Sequence, residues 1–108
     1  MIREITPPEL DAWRKDASRP APYVLDVREP WEHDKAHLAG ATLIPMREIP
    51  SRLPELPEHD ELVLMCHHGS RSAQVAMWLA RNGFGRVHNL AGGIDAWSRL
   101  VDPAVPRY

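Results

Sequence analysis

The stretch Glu61-Leu62-Val63-Leu64-Met65-Cys66-His67-His68-Gly69-Ser70-Arg71-Ser72 runs from an unbroken apolar segment, through a single cysteine, into a glycine turn and the start of a helix. The segment up to Met65 reads as a strand covered on both faces, because a strand with one wet face would alternate apolar and polar residues. From Ser72 to Asn82, Ala73, Ala76, Met77 and Ala80 recur at helical spacing, and Gly83 supplies a C-cap. Strand, tight loop and helix form the unit from which parallel sheets are built.

The same alternation extends in both directions. Ile2-Arg3-Glu4-Ile5 predicts a short edge strand, and Thr6-Pro7-Pro8-Glu9 a capping box with proline at the first helical position. The helix that follows runs to about Lys15 and buries Leu10 and Trp13. Tyr23-Val24-Leu25-Asp26-Val27 is a second buried strand, a short helix begins near Pro30, and Ala41-Thr42-Leu43-Ile44 is a strand stopped by Pro45. Arg47 to Leu53 reads as a short helix interrupted by prolines. Val87-His88-Asn89-Leu90 gives the last strand, Gly92-Gly93 a turn, and Ile94 to Leu100 a helix presenting Ile94 and Trp97 inward. The expected fold is α/β, a parallel sheet with helices on both faces, and such sheets carry their sites at the carboxyl ends of strands. Asp26 and Cys66 stand at such ends.

Composition narrows the function. A chain of 108 residues with 44% hydrophobic content builds one core, and its 11 prolines fall between apolar clusters rather than in one tract. The formal charge of -2, from 13 basic and 15 acidic residues, gives no basic face for nucleic acid. No apolar run reaches the roughly 20 residues that span a bilayer, and the N-terminus lacks the layout of a secretory signal, so no membrane partner and a cytoplasmic location are expected. With Cys66 as the sole cysteine, no intrachain disulfide forms, and chemistry at its sulfur needs an outside acceptor.

A cysteine after an apolar strand is usually a small buried hydrophobe, but the residues after Cys66 argue for chemistry. Gly69 permits a tight turn, and a helix opening at Ser70 aims several unpaired amides and the positive end of its dipole at the sulfur. Such a field favours a thiolate, the nucleophilic form, and equally a persulfide anion. Arg71 offers a planar fork for an oxyanion such as a sulfonate. Ser72 serves as a donor to the sulfur anion, as a helix cap, or as both. His67 and His68 stand at the mouth of the loop, where they either donate to an incoming anion or are merely exposed.

Four motifs together resemble the rhodanese family, over nearly the whole chain from Ile2 to about Leu100. They are Val24-Leu25-Asp26-Val27-Arg28-Glu29-Pro30-Trp31-Glu32, His37-Leu38-Ala39-Gly40-Ala41-Thr42-Leu43-Ile44-Pro45, the active loop Cys66 to Ser72, and Asn89-Leu90-Ala91-Gly92-Gly93-Ile94-Asp95-Ala96-Trp97. The resemblance implies a three-layer α/β/α domain with a five-stranded parallel sheet. Residues 1–108 form one such domain, with a core of about 2–100 and a C-terminal tail of 101–108. It further implies that Cys66 takes a sulfane sulfur from thiosulfate or a persulfide donor and passes it to cyanide, a cellular thiol or a protein acceptor. On this reading His67, His68, Gly69, Ser70, Arg71 and Ser72 bind the substrate, and no cofactor is needed.

Related dual-specificity phosphatases and arsenate reductases look like Cys, five residues, then Arg, whereas only four residues separate Cys66 from Arg71. The shorter cradle suits a sulfur atom and rejects a tetrahedral phosphate by geometry. The loop also departs from thiosulfate enzymes that place lysine or arginine where His67 and His68 stand. A persulfide carrier or sulfide-sensing interaction module is the alternative function.

Asp26 and Arg28 are expected to support neighbouring loops rather than react. His33 and His37 share i, i+4 spacing, but no third ligand is evident, so no metal is expected. Trp13, Trp31, Trp78 and Trp97 are assigned to core packing.

Overall fold

Five parallel strands, β1 (Arg3–Ile5), β2 (Tyr23–Asp26), β3 (Thr42–Leu43), β4 (Leu62–Met65) and β5 (Val87–Leu90), lie in the order β1-β5-β4-β2-β3. Helices α1 (Pro7–Lys15), α2 (Pro30–Lys35) and α3 (Ser70–Arg81) lie between strands, and α4 (Gly93–Leu100) follows β5. This is a computed structural model that describes residues 2–108. The five-stranded parallel α/β fold expected from the sequence is the one observed.

The apolar run 62–65 becomes β4, the central strand, and alternate side chains enter separate cores. Val63 and Met65 join Leu10, Trp13, Val24, Leu90, Ile94 and Trp97 on the face covered by α1 and α4. Leu62, Leu64 and Cys66 join Leu25, Ile44, Val75, Ala76 and Leu79 on the face covered by α3. A strand flanked by neighbours and covered on both faces has no wet side, which explains its lack of alternation. Val101, Val105 and Tyr108 also pack on the first of these cores, so the segment after α4 is part of the packed structure.

The capping box of α1 forms as expected, with Glu9 N–H donating to Thr6 Oγ1 at 3.2 Å and Thr6 N–H to Glu9 Oε1 at 2.8 Å. Gly83, at φ +95°, follows α3, and the Phe84 amide donates back to the Leu79 carbonyl at 3.1 Å, a Schellman-type ending. The buried stripe of α3 is Ser72, Val75, Ala76 and Leu79, so of the expected Ala73, Ala76, Met77 and Ala80 only Ala76 is buried. Met77 is 48% exposed. Alanine contrasts weakly with its surroundings, and the larger pair Val75 and Leu79 sets the buried face.

Prolines 50 and 54 turn the expected helix 47–53 into two 3-10 helices, Met46–Glu48 and Pro50–Glu55. The tryptophan assignment also needs correction: Trp13 and Trp97 are buried and Trp78 is half-buried, but Trp31 is 56% exposed. Among the described residues no helix is long and apolar enough to cross a membrane.

Candidate active site

Cys66 directly follows the central strand, where the C-terminal motif of the sequence holds its loop. The amides of Ile94 and Asp95, in the first turn of α4, donate to the carbonyls of Cys66 (2.9 Å) and His67 (3.1 Å). This approach requires Gly93, because a Cβ there would lie 2.4 Å from the Cys66 carbonyl oxygen and 2.5 Å from that of His67. With these carbonyls turned toward α4, the left-handed Gly69 (φ +105°) brings its own amide to the sulfur, and Gly69 N–H donates to Cys66 Sγ at 3.0 Å.

Ser72 Oγ lies 3.3 Å from Sγ. One amide and one hydroxyl thus adjoin the sulfur, fewer than the several amides expected. The amides of Ser70, Arg71 and Ser72 belong to the first turn of α3, which leaves them without intrahelical acceptors and available to an anion at the mouth. Cys66 itself is only 1% exposed, whereas Ser70 and His68 are exposed.

Arg71, expected as an open fork, is engaged. Its Nη1 and Nη2 donate to Glu32 Oε1 and Oε2 at 2.6 and 2.8 Å, a bidentate pair with a nearly buried carboxylate. The hydrogen bonds from Arg71 outweigh burial and, with further bonds from the Tyr108 hydroxyl and the Glu29 amide, pull the Glu32 carboxyl from an ordinary 4.5 to about 2. Tyr108 OH donates to Glu32 Oε2 at 2.7 Å and accepts from Arg28 Nη1 at 2.9 Å. Burial is the main force pushing its phenol up to about 12.

Because Glu32 is depressed in the fold, its contribution to stability is full above its ordinary value of 4.5 and is lost as pH falls toward about 2. Glu32→Gln should therefore cost about 1–2 kcal/mol near neutrality, since Arg71 is partly exposed and screened. The gap in Tm between the two proteins should narrow steadily as thermal unfolding is repeated from about pH 5 down to about pH 3.

Asp26 and Arg28 form a fully buried pair, with Arg28 Nε to Asp26 Oδ1 at 2.9 Å and Nη2 to Oδ2 at 2.7 Å. Arg28 also donates to the carbonyls of Ala36 (2.7 Å) and Glu32 (3.3 Å). The pair thereby braces α2, and through Glu32 it holds Arg71. Burial opposes the Arg28 charge, but hydrogen bonds to Asp26 and Tyr108 prevail and raise its affinity for the proton.

At the mouth, the His67 ring stacks between His68 (centroids 3.8 Å apart) and Tyr108 (3.9 Å). Burial, then the neighbouring His68, lowers the His67 value. His67, His68 and Asp95 bring ligand-type atoms within 4.8 Å of one another. A metal must lie in the plane of each imidazole that binds it, yet these two rings are stacked with planes only 26° apart. Asp95 also already accepts from Arg99 (3.3 Å) and Arg107 (3.0 Å). His33 and His37 stack as well, with planes 15° apart, an arrangement equally unsuited to chelation.

Sequence reasoning missed Glu32, Tyr108 and Asn89 as parts of the site. Glu32 and Asn89 were visible only as letters in longer motifs, and Tyr108 only as tail. Asn89 is buried and bonds to Ser72, Gly69 and Glu4, at the second layer behind the sulfur.

A parallel sheet that delivers one cysteine from the end of its central strand to a loop of amides, hydroxyl and guanidinium defines a cysteine-centred α/β domain. Residues 6–100 match the Rhodanese-like domain family, and the chain belongs to it. The chain is 40% identical over 82 residues to a sulfurtransferase of Allochromatium vinosum, covering 76% of this chain and 77% of that one. It is 41% identical over 75 residues to the putative sulfur carrier protein YrkF of Bacillus subtilis, covering 69% of this chain and 40% of the relative. The crystal structure of a rhodanese-like domain protein from Staphylococcus aureus superposes with a TM-score of 0.83 at 31% identity, covering 99% of each chain. The chain spans only 30% and 40% of the length of two of the curated relatives it matches.

Proposed function

We propose that the protein is a sulfurtransferase in which Cys66 carries a sulfane sulfur between a small donor and an outside acceptor. The observation that carries this reading is the single Cys66 sulfur at the floor of a four-residue loop, next to the Gly69 amide and Ser72 and facing the first turn of α3. In the first step Cys66 gives up its proton to solvent and attacks the outer sulfur of thiosulfate or of a persulfide. A new S–S bond forms as the donor's S–S bond breaks, and the electron pair leaves with sulfite or with the donor thiolate. The terminal sulfur of the resulting persulfide is then attacked by cyanide, a thiol or a protein acceptor, and Cys66 leaves as thiolate. Within these 108 residues no second cysteine stands by to resolve this intermediate. A lone unpaired thiol suits a reducing compartment such as the cytoplasm.

His68, Ser70 and the first-turn amides of α3 face the donor's anionic end, while Arg71, half-neutralised by Glu32, supplies a weaker field than a free guanidinium. That arrangement suits a persulfide donor at least as well as the thiosulfate dianion. The kinship with a putative sulfur carrier favours a second reading, a persulfide carrier that delivers to one partner protein with little free turnover.

Mass spectrometry after incubation with thiosulfate or with a persulfide should show a gain of about 32 Da, one sulfur atom, on the tryptic peptide bearing Cys66. Discharge on adding cyanide or a thiol supports the transferase. A persulfide stable to every small acceptor supports the carrier, and no adduct with any donor overturns both.

A further inference from the structure

The Asn89 amide can be oriented without ambiguity. One of its terminal atoms lies 3.0 and 3.2 Å from the two carboxylate oxygens of Glu4 and 3.1 Å from the Gly69 carbonyl. All three neighbours are acceptors only, so this atom is the NH2 group. The other end, Oδ1, therefore faces Ser72 Oγ at 2.5 Å. An amide oxygen has no proton to give, and a hydroxyl has only one, so Ser72 donates to Asn89. Toward Cys66 Sγ, 3.3 Å away, Ser72 then presents a lone pair.

A lone pair there accepts from a thiol S–H and repels a thiolate. We propose that Asn89, oriented by Glu4, withholds the Ser72 hydroxyl proton from Cys66 and so keeps the resting sulfur as a thiol. Deprotonation is coupled to rotation of Ser72: the proton swings from Asn89 to sulfur, leaving the buried amide oxygen unpaired. The register of the sheet makes this possible, because Glu4 on the edge strand β1 pairs directly with Asn89 on β5. Glu4 is exposed, so a surface carboxylate sets the state of a buried sulfur. Asn89 and Glu4 are positioning residues, since neither touches the sulfur.

Other charged and titratable groups surround the loop. Arg71 stands on α3 with Glu32 of α2 behind it, His67 and His68 follow Cys66 in the loop, and Asp95 lies on α4, its amide donating to the His67 carbonyl. The substitutions below leave all of them in place.

The inference rests on Cys66 being the reacting group but not on the identity of the transferred atom. It is tested by alkylation of the full chain with iodoacetamide between about pH 5 and 9, a reaction that needs no sulfur donor. Asn89→Ala should raise the rate at neutral pH roughly tenfold and move the midpoint of the pH profile down. In the Ser72→Ala background, where no hydroxyl is left to withhold, Asn89→Ala should have no effect. Glu4→Ala, a surface change that does not threaten folding, should act in the same direction by about twofold or more.

A slower or unchanged Asn89→Ala protein overturns the proposal, as does a gain that persists without Ser72. If Asn89→Ala does not fold, an unchanged Glu4→Ala profile overturns it instead. Failure of sulfur loading with a correct alkylation pattern would count against the sulfurtransferase reading alone.

Discussion

Cys66→Ala protein should gain no sulfur from thiosulfate or persulfide and should transfer none to cyanide or thiol, a loss on the order of 10³-fold or more. The size of the effect follows from covalent catalysis. The loop, its amides and Arg71 remain in place, but without a nucleophile the two displacements cannot be separated, and binding alone returns little rate. Cys66→Ser is the sharper control, because it keeps a small polar atom beside the Gly69 amide, 3.0 Å from the sulfur in the native protein. A hydroxyl at that place is a far weaker nucleophile, so the serine protein should fold normally and be equally inactive. Mass spectrometry and a thiocyanate assay measure both, and a sulfur adduct of normal yield on the alanine protein would remove Cys66 from the mechanism.

Asp26→Ala should lower stability by about 3–5 kcal/mol, because it leaves Arg28 buried with its charge uncompensated. Both side chains are fully shielded from solvent, and Arg28 cannot neutralise itself by losing a proton. In a domain of this size that cost corresponds to a Tm lower by roughly 15 °C or more, readable by circular dichroism. Asp26→Asn, which keeps acceptor geometry but not charge, should lose less. The double replacement Asp26→Ala with Arg28→Met should recover part of the loss, since it removes the stranded charge. An Asp26→Ala protein within about 1 kcal/mol of native would mean that the Arg28 bonds to the Ala36 and Glu32 carbonyls and to Tyr108 suffice without the pair.

The elements whose signals are local were legible. The run 62–65, the capping box at Thr6, the cap at Gly83 and the Cys66 loop each rest on neighbours within a few residues, and all appear where expected. The parallel arrangement followed from strands alternating with helices. Less legible was which face a weakly patterned helix buries: α3 turned Met77 outward because Val75 and Leu79 fill the space beside β4. Trp31 was assigned inside by residue type alone, although it sits on the second position of a short helix whose buried member is Glu32.

By itself, then, the sequence determined the sheet, the helix that follows its central strand, and a lone cysteine at that strand's end. Only the tertiary structure decided what surrounds the sulfur. Arg71 meets Glu32 across 39 residues, Glu32 meets Tyr108 across 76, and Asn89 meets Glu4 across 85. No periodicity records such pairings, because each side chain is compatible with many local contexts and finds its partner only when strands and helices are brought together. Hydrophobic patterning acts along the chain and can be read there, whereas hydrogen bonds that orient a reactive atom depend on directions fixed between elements distant in sequence.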